Sequence, residues 1–363
     1  MNRAYKFRMY PNKDQEVLFA KTFGCVRFIY NKMLGDKIAH YELTKLHLNN
    51  TPAPYKKEFE WLAEVDSLAL CNAQLNLQTA FKNFFQRPDV GFPKFKSKHS
   101  SKASYTSSCI NNNIRLDAGK IKLPKIGWIK VKQHRPIPIH YKLKSATITR
   151  NSTGKYYVSI LFEFDQDILP VSPTTYVGLD FSMKELYVSS DGEAPAYPRY
   201  YRESLEKLAR EQRKLSLCQK GSSNRNKQRI KVARLHEHVA YQRKNFLHQL
   251  SRKIANFYDA VCVEDLNMKA MAQCLNFGKS VSDNGWGMFL TFLGYKLAES
   301  GKHLVKIDKW FPSSKMCSHC GSVKEDLSLA ERIYTCDCGF ESDRDLNAAI
   351  NILNQGKLLL PNF

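Results

Sequence analysis

Four cysteines in two close pairs near the C-terminal end constrain this chain most. Cys317-x-x-Cys320 and Cys336-x-Cys338 are separated by fifteen residues, enough for a small hairpin that brings the pairs together. Each pair is followed by a glycine, Gly321 and Gly339, where a knuckle turn needs a positive φ. Four thiolates in a tetrahedron suit a structural zinc ion. Buried free thiols or two disulfides are the competing readings. Disulfides belong to short secreted chains, and this one has 363 residues. The second pair, with one residue inside instead of two, is the less regular knuckle.

Five residues beyond Cys338 come Asp343 and Asp345, ahead of an apolar run with Leu346, Ala349, Ile350 and Leu353 at helical spacing. Asp345 is expected at or near the start of a helix, where an aspartate serves equally as an N-cap. The stretch alone does not separate a capping role from a catalytic one.

The remaining chain bears on that choice. It carries 56 basic against 34 acidic residues, a net charge of +22. Solubility does not require so large an excess, which points to a polyanionic partner, nucleic acid first among them. No apolar run is long enough to span a membrane, and the first residues lack the apolar core of a signal peptide, so a cytoplasmic protein is expected. The other cysteines, at 25, 71, 109, 218, 262 and 274, are expected to be reduced and mostly buried.

From the N-terminus, Ala4–Tyr10 reads as a strand. Asn12-x-x-Gln15 has the form of a capping box and opens a long helix with Val17, Leu18, Phe23, Val26, Phe28, Ile29, Met33 and Leu34 on its apolar face. A second helix is expected over Ser67–Phe85. These helices suit a small bundle or a DNA-reading unit. Residues 87–108 are basic with Phe92, Phe95 and Tyr105 interleaved, which fits either nucleic-acid stacking or a solvated loop with its aromatics in the core. Residues 110–164 read as about five strands with hairpin turns at Asp117-Ala-Gly119 and Asn151-Ser-Thr-Gly154. They suggest a small barrel carrying the helices as an insertion after its first strand.

Beyond a linker at 170–175, buried strands are expected at Tyr176–Leu179 and Ala260–Val263, leading into Asp180 and Glu264. Between them lie helices over about 200–217 and 224–258. Their Lys and Arg suit a solvated face or a nucleic-acid groove. Asp180, Glu264 and Asp345 thus stand at element ends that can meet at one sheet edge. Three carboxylates together repel unless a cation neutralises them, and two Mg²⁺ ions would do so.

The ordered motifs resemble the TnpB (OrfB) family of insertion-sequence proteins, relatives of type V CRISPR effectors. They are Tyr5-Lys-Phe-Arg-Met-Tyr-Pro, Phe92-Pro-Lys-Phe-Lys, Val177-Gly-Leu-Asp180, Val263-Glu264-Asp-Leu, Phe311-Pro-Ser-Ser-Lys-Met-Cys317 and Asp343-Arg-Asp345-Leu-Asn-Ala-Ala. The chain departs at Phe181-Ser182, where many members have Leu-Gly. The resemblance implies a multidomain α/β protein. A wedge β-barrel would occupy 1–11 and 109–170, with a helical recognition lobe at 12–108. An RNase H-like RuvC nuclease would occupy 171–310 and 341–363, and a zinc-ribbon insert for target nucleic acid 311–340. It implies an RNA-guided DNA endonuclease, a monomer with a guide RNA from the transposon end and a double-stranded DNA target beside a short adjacent motif. Asp180, Glu264 and Asp345 would hold Mg²⁺ and Cys317, Cys320, Cys336 and Cys338 Zn²⁺. A guided DNA-binding repressor without nuclease activity and an accessory transposase are the alternatives; relatives of the first kind have lost the acids, which are all present here.

Overall fold

The computed structural model describes residues 1–99, 102–268, 270–271, 285–328 and 331–360. The chain forms two compact units, Met1–Gln166 and Asp167–Phe363.

In the first unit β1 (Asn2–Tyr10) leads into α1 (Lys13–Thr44). The capping box is complete. Asn12 Oδ1 accepts from the Gln15 backbone N–H at 2.8 Å, and Gln15 Oε1 accepts from the Asn12 N–H at 3.1 Å. Gln15 Nε2 also donates to the Trp128 carbonyl at 3.0 Å, so the cap is itself tied to the sheet. After α2 (Pro52–Glu58), α3 (Ser67–Gln86) packs back on α1. Phe19, Ile29, Met33, Leu34, Leu70 and Leu77 form the core between helices and sheet, while Val17 lies outside it.

Six further strands follow: β2 (Ala103–Ser108), β3 (Arg115–Asp117), β4 (Lys120–Leu123), β5 (Gly127–Lys132), β6 (Lys142–Arg150) and β7 (Tyr156–Glu163). They join β1 in one antiparallel sheet ordered β2-β6-β7-β1-β5-β4-β3. Strand β2 lies inside the stretch expected to be the helical lobe. Its sequence, Ala-Ser-Tyr-Thr-Ser-Ser, has few apolar residues to signal a strand, yet all six pair with β6. Tyr105 and Ser107 face the core, so of the three interleaved aromatics Tyr105 is buried and Phe92 and Phe95 are exposed.

The second unit is built on a four-stranded sheet ordered β11-β10-β8-β9. Here β8 (Tyr176–Phe181), β10 (Ala260–Glu264) and β11 (His303–Ile307) are parallel, and β9 (Tyr187–Ser189) is antiparallel to β8. Short α4 (Tyr200–Glu203) precedes α5 (Leu205–Leu217), which pairs with α6 (Ser223–Phe257); α7 (Trp286–Ala298) packs on α6. Glu211 on α5 is buried and accepts from Gln228 at 2.8 Å while pairing with Lys231 at 3.0 Å, both on α6. The hairpin β12 (Ile333–Thr335) and β13 (Glu341–Asp343) then leads into α8 (Arg344–Leu358).

Strand alternation sorts the sheet's two faces. Val177, Leu179, Val261 and Val263 join the cluster with Leu250 and Ile254 of α6 and Trp286, Phe289 and Leu293 of α7. Cys262 and Ile307 lie in a separate cluster with Ile352 and Leu353 of α8. Of the other cysteines described, only Cys25 and Cys262 are buried; Cys71 is exposed, and Cys109 and Cys218 are half-buried. Cys274 and residues 361–363 lie outside the described residues. No described helix is long and apolar enough to cross a membrane.

Candidate active site and metal centre

The same alternation places the acids. Leu179 pairs with Val263, so Asp180 and Glu264 are the next residues along adjacent parallel strands. They share a sheet face with Gly178 and Cys262, two residues back, and that is the face α8 covers.

Two glycines set how closely α8 lies. A Cβ on Gly178 would fall 2.1 Å from the Ala349 carbonyl oxygen and 2.7 Å from the Leu353 nitrogen. A Cβ on Gly356 would fall 2.3 Å from Cys262 Sγ. The helix therefore rests directly on β8 and β10, and Asp345, in its first turn, is carried to Asp180. Asp343 resolves the question of the cap: its carboxylate accepts from the backbone N–H groups of Asp345 and Leu346. Asp345 is not the N-cap.

The electrostatics agree with this placement. Burial pushes the Asp180 carboxyl well above its usual range, and the Glu264 and Asp345 carboxylates push it further. The Phe181 N–H and the Arg344 guanidinium pull it partly back. Burial also raises Glu264, against a hydrogen bond donated by the Ser313 hydroxyl. Arg344 Nη2 lies 3.3 Å from one Asp345 oxygen, and Arg332 Nη1 lies 4.0 Å from the other. Such a surplus of half-buried negative charge suits a hard cation with oxygen ligands. No group of three carboxylates comes as close as the thiols do among the described residues. Asp265 instead pairs with Lys306 at 2.7 Å and is exposed.

All four cysteines converge, with Sγ atoms within 4.8 Å of one another. Cys317 and Cys338 are 3.8 Å apart, and Cys320 and Cys336 3.5 Å. A tetrahedron with bonds of about 2.3 Å has edges of about 3.8 Å, so the cluster fits zinc. Each knuckle closes on the carbonyl of its first cysteine, the second in a turn one residue shorter. Gly321 donates to the Cys317 carbonyl and Gly339 to that of Cys336, with φ of 79° and 84°. The one-residue spacing of the second pair does not distort its turn.

Sequence reasoning missed four polar residues around these sites. Ser313 reaches Glu264, Arg344 reaches Asp345, and Asn347 and Asn351 of α8 bond the segment between them and the cysteines. A signal existed for the asparagines: two of them four residues apart on the apolar face of a helix are costly unless bonded.

Family models match three stretches: a probable transposase at residues 159–275, the TNB domain of Cas12f1-like proteins at 286–352, and a helix-turn-helix domain at 1–45. That last stretch is β1 and the single long helix α1 in this chain. A "Putative RNA-guided DNA endonuclease" of Streptomyces pristinaespiralis is 38% identical over 98% of this chain and 90% of its own length. A second, InsQ of Escherichia coli (strain K12), is 28% identical over 99% and 93%. A solved structure of Cas12f1 with sgRNA and target DNA superposes with a TM-score of 0.60 at 13% identity, covering 98% of this chain and 99% of that one. That last likeness is one of fold.

Proposed function

The chain belongs to the TnpB (OrfB) family of insertion-sequence proteins, and from that premise we propose that it is an RNA-guided DNA endonuclease. The observation that carries the reading is that Asp180 and Glu264 lie side by side on one sheet face, with Asp345 in the first turn of the helix that covers that face and its charge felt at Asp180. The guide RNA would come from the transposon end, and a short adjacent motif would license the double-stranded target. The protein would act in the cytoplasm as a monomer with its RNA.

The first unit corresponds in this reading to the wedge barrel with its inserted recognition lobe, and the second to a RuvC nuclease with a zinc ribbon for target nucleic acid. Base pairing would read the target while Lys and Arg grip the backbone of the guide–target duplex. Asp180, Glu264 and Asp345 would hold two Mg²⁺ ions, which supply activation of water and stabilisation of the leaving oxygen. Asp180 and Glu264 are half-buried, and the repulsion between their like charges makes a cation the favoured partner. Arg344 would balance the charge of Asp345, with its Nη2 3.3 Å from one carboxylate oxygen. The four cysteines would hold Zn²⁺ as a structural ion.

The test is cleavage of a plasmid bearing the target by protein purified with and without co-expressed RNA. Cutting should need Mg²⁺ and RNA, and a changed guide segment should move the cut to the newly matched sequence. Equal cutting at the same site by RNase-treated protein, or a reprogrammed RNA that leaves the cut unmoved, would end this reading. Stable guided binding without cutting would instead favour a repressor.

A further inference from the structure

One segment, Ser313–Ser318, touches two of the three acid-bearing elements, β10 and α8, and ends inside the cysteine cluster. At its start the Ser313 hydroxyl donates to Glu264 Oε1, on β10. Ser313 is buried and Glu264 half-buried. The Ser313 carbonyl in turn accepts from Asn351 Nδ2 at 2.8 Å. Further along, the Met316 carbonyl accepts from both Asn347 Nδ2 at 2.7 Å and Asn351 Nδ2 at 2.6 Å. The Ser318 N–H, between Cys317 and Cys320, donates to Asn347 Oδ1 at 2.9 Å.

Both asparagines sit on α8, which carries Asp345 two residues before Asn347. They are 0% and 3% exposed, on a face otherwise made of Ala348, Ala349 and Ile352. Amides buried on such a face cost stability unless fully bonded, and asparagine is a poor helix former. Their bonds go to this one segment. It is therefore fixed at the zinc cluster, along α8 and at Glu264.

We propose that Ser313 is a positioning residue for Glu264, and that Asn347 and Asn351 hold it so that the cysteine cluster sets the spacing between Glu264 and Asp345. The proposal rests on the reading of these acids as metal ligands. A hydroxyl donating to one oxygen of a ligating carboxylate fixes its orientation, and loss of such a partner costs about 10–100-fold in metal affinity. The cysteine cluster, which zinc would hold closed, would then be linked to Glu264 and to the helix of Asp345 through the hydrogen bonds of Ser313, Asn347 and Asn351.

The experiment is an electron paramagnetic resonance titration of the full-length, zinc-loaded protein with Mn²⁺, for wild type, Ser313→Ala, Ser313→Thr and Asp180→Ala. Ser313→Ala is expected to bind Mn²⁺ at least about tenfold more weakly, with zinc content and melting temperature near those of wild type. Ser313→Thr keeps the hydroxyl and should recover most of the affinity. Stripping zinc from wild type should weaken Mn²⁺ binding in the same direction. Unchanged binding by Ser313→Ala, or no recovery by Ser313→Thr, overturns the proposal. Loss of zinc from Ser313→Ala overturns it too, because the serine would then serve the knuckle. A wild-type Mn²⁺ signal that Asp180→Ala leaves unchanged overturns the metal reading beneath it, a different result from any of these.

Discussion

Asp343 caps the helix on which Asp345 stands. Its Oδ1 accepts from the Asp345 N–H at 2.9 Å and from the Leu346 N–H at 3.0 Å. Two aspartates two residues apart thus do different work. The first satisfies backbone donors at the helix start, and the second takes no part in the cap, its carboxylate lying 3.3 Å from Arg344 Nη2.

That division gives separable mutants. Asp343→Ala should lower stability by about 1 kcal/mol, the usual loss for a cap, and Asp343→Ser should restore most of it. Cleavage should fall partly. Asp345→Ala should abolish cleavage with little change in melting temperature. Equal loss of cleavage by Asp343→Ser and Asp345→Ala, measured with matched target plasmid, would refute the division.

Asp180→Ala and Glu264→Ala are expected to abolish cleavage while guide-RNA retention on gel filtration stays near wild type. Both acids lie on the second unit's sheet, at the ends of β8 and β10. Wild-type cutting by either variant would remove that residue from the site.

The pH dependence follows from the raised carboxyls. The folded chain holds the protons of Asp180 and Glu264 more tightly than the unfolded chain does, with burial the first cause for each. The resulting cost to stability is absent below the ordinary values of 3.8 and 4.5 and grows as pH rises through the folded values. In EDTA, Asp180→Asn should therefore melt above wild type at alkaline pH, with the gap narrowing as pH falls toward the ordinary carboxyl value of 3.8. Added Mg²⁺ should raise wild type and not the variant. A gap independent of pH would count against this electrostatic account.

Close approach of α8 makes its own prediction. Gly178→Ala places a methyl group against backbone, which cannot step aside, so the helix must lift. A cost of about 1–3 kcal/mol is expected from overpacking, with cleavage reduced because Asp345 moves away. Gly356→Ala meets the Cys262 side chain instead, and Cys262→Ala should partly rescue it. Thermal melts of the single and double variants check this, and rescue of Gly178→Ala by Cys262→Ala would contradict it.

Zinc should be present at one ion per chain by elemental analysis. Cys317 is buried, so Cys317→Ser should loosen the segment around Asn347 and be seen as new proteolytic cuts between β11 and α8. Protein purified without chelator and free of zinc would reject the cluster as a metal site.

Sequence alone settled what depends on local spacing. The capping box at Asn12 and Gln15, the buried strands before Asp180 and Glu264, the long basic helix α6 and the two cysteine knuckles were each legible, because turn chemistry and hydrophobic period act over a few residues. Motif order was enough to indicate the family. Tertiary structure decided what depends on partners far away in the chain. Strand β2 forms because Ala103–Ser108 pairs with β6, not because its residues favour a strand. Which of Asp343 and Asp345 caps the helix depended on the entry of the chain from β13, which has no signature in composition. Asn347 and Asn351 acquired their meaning only when the segment leading to Cys317 was laid against α8. A hydrogen bond between elements far apart in sequence is fixed by packing, and periodicity carries no record of it.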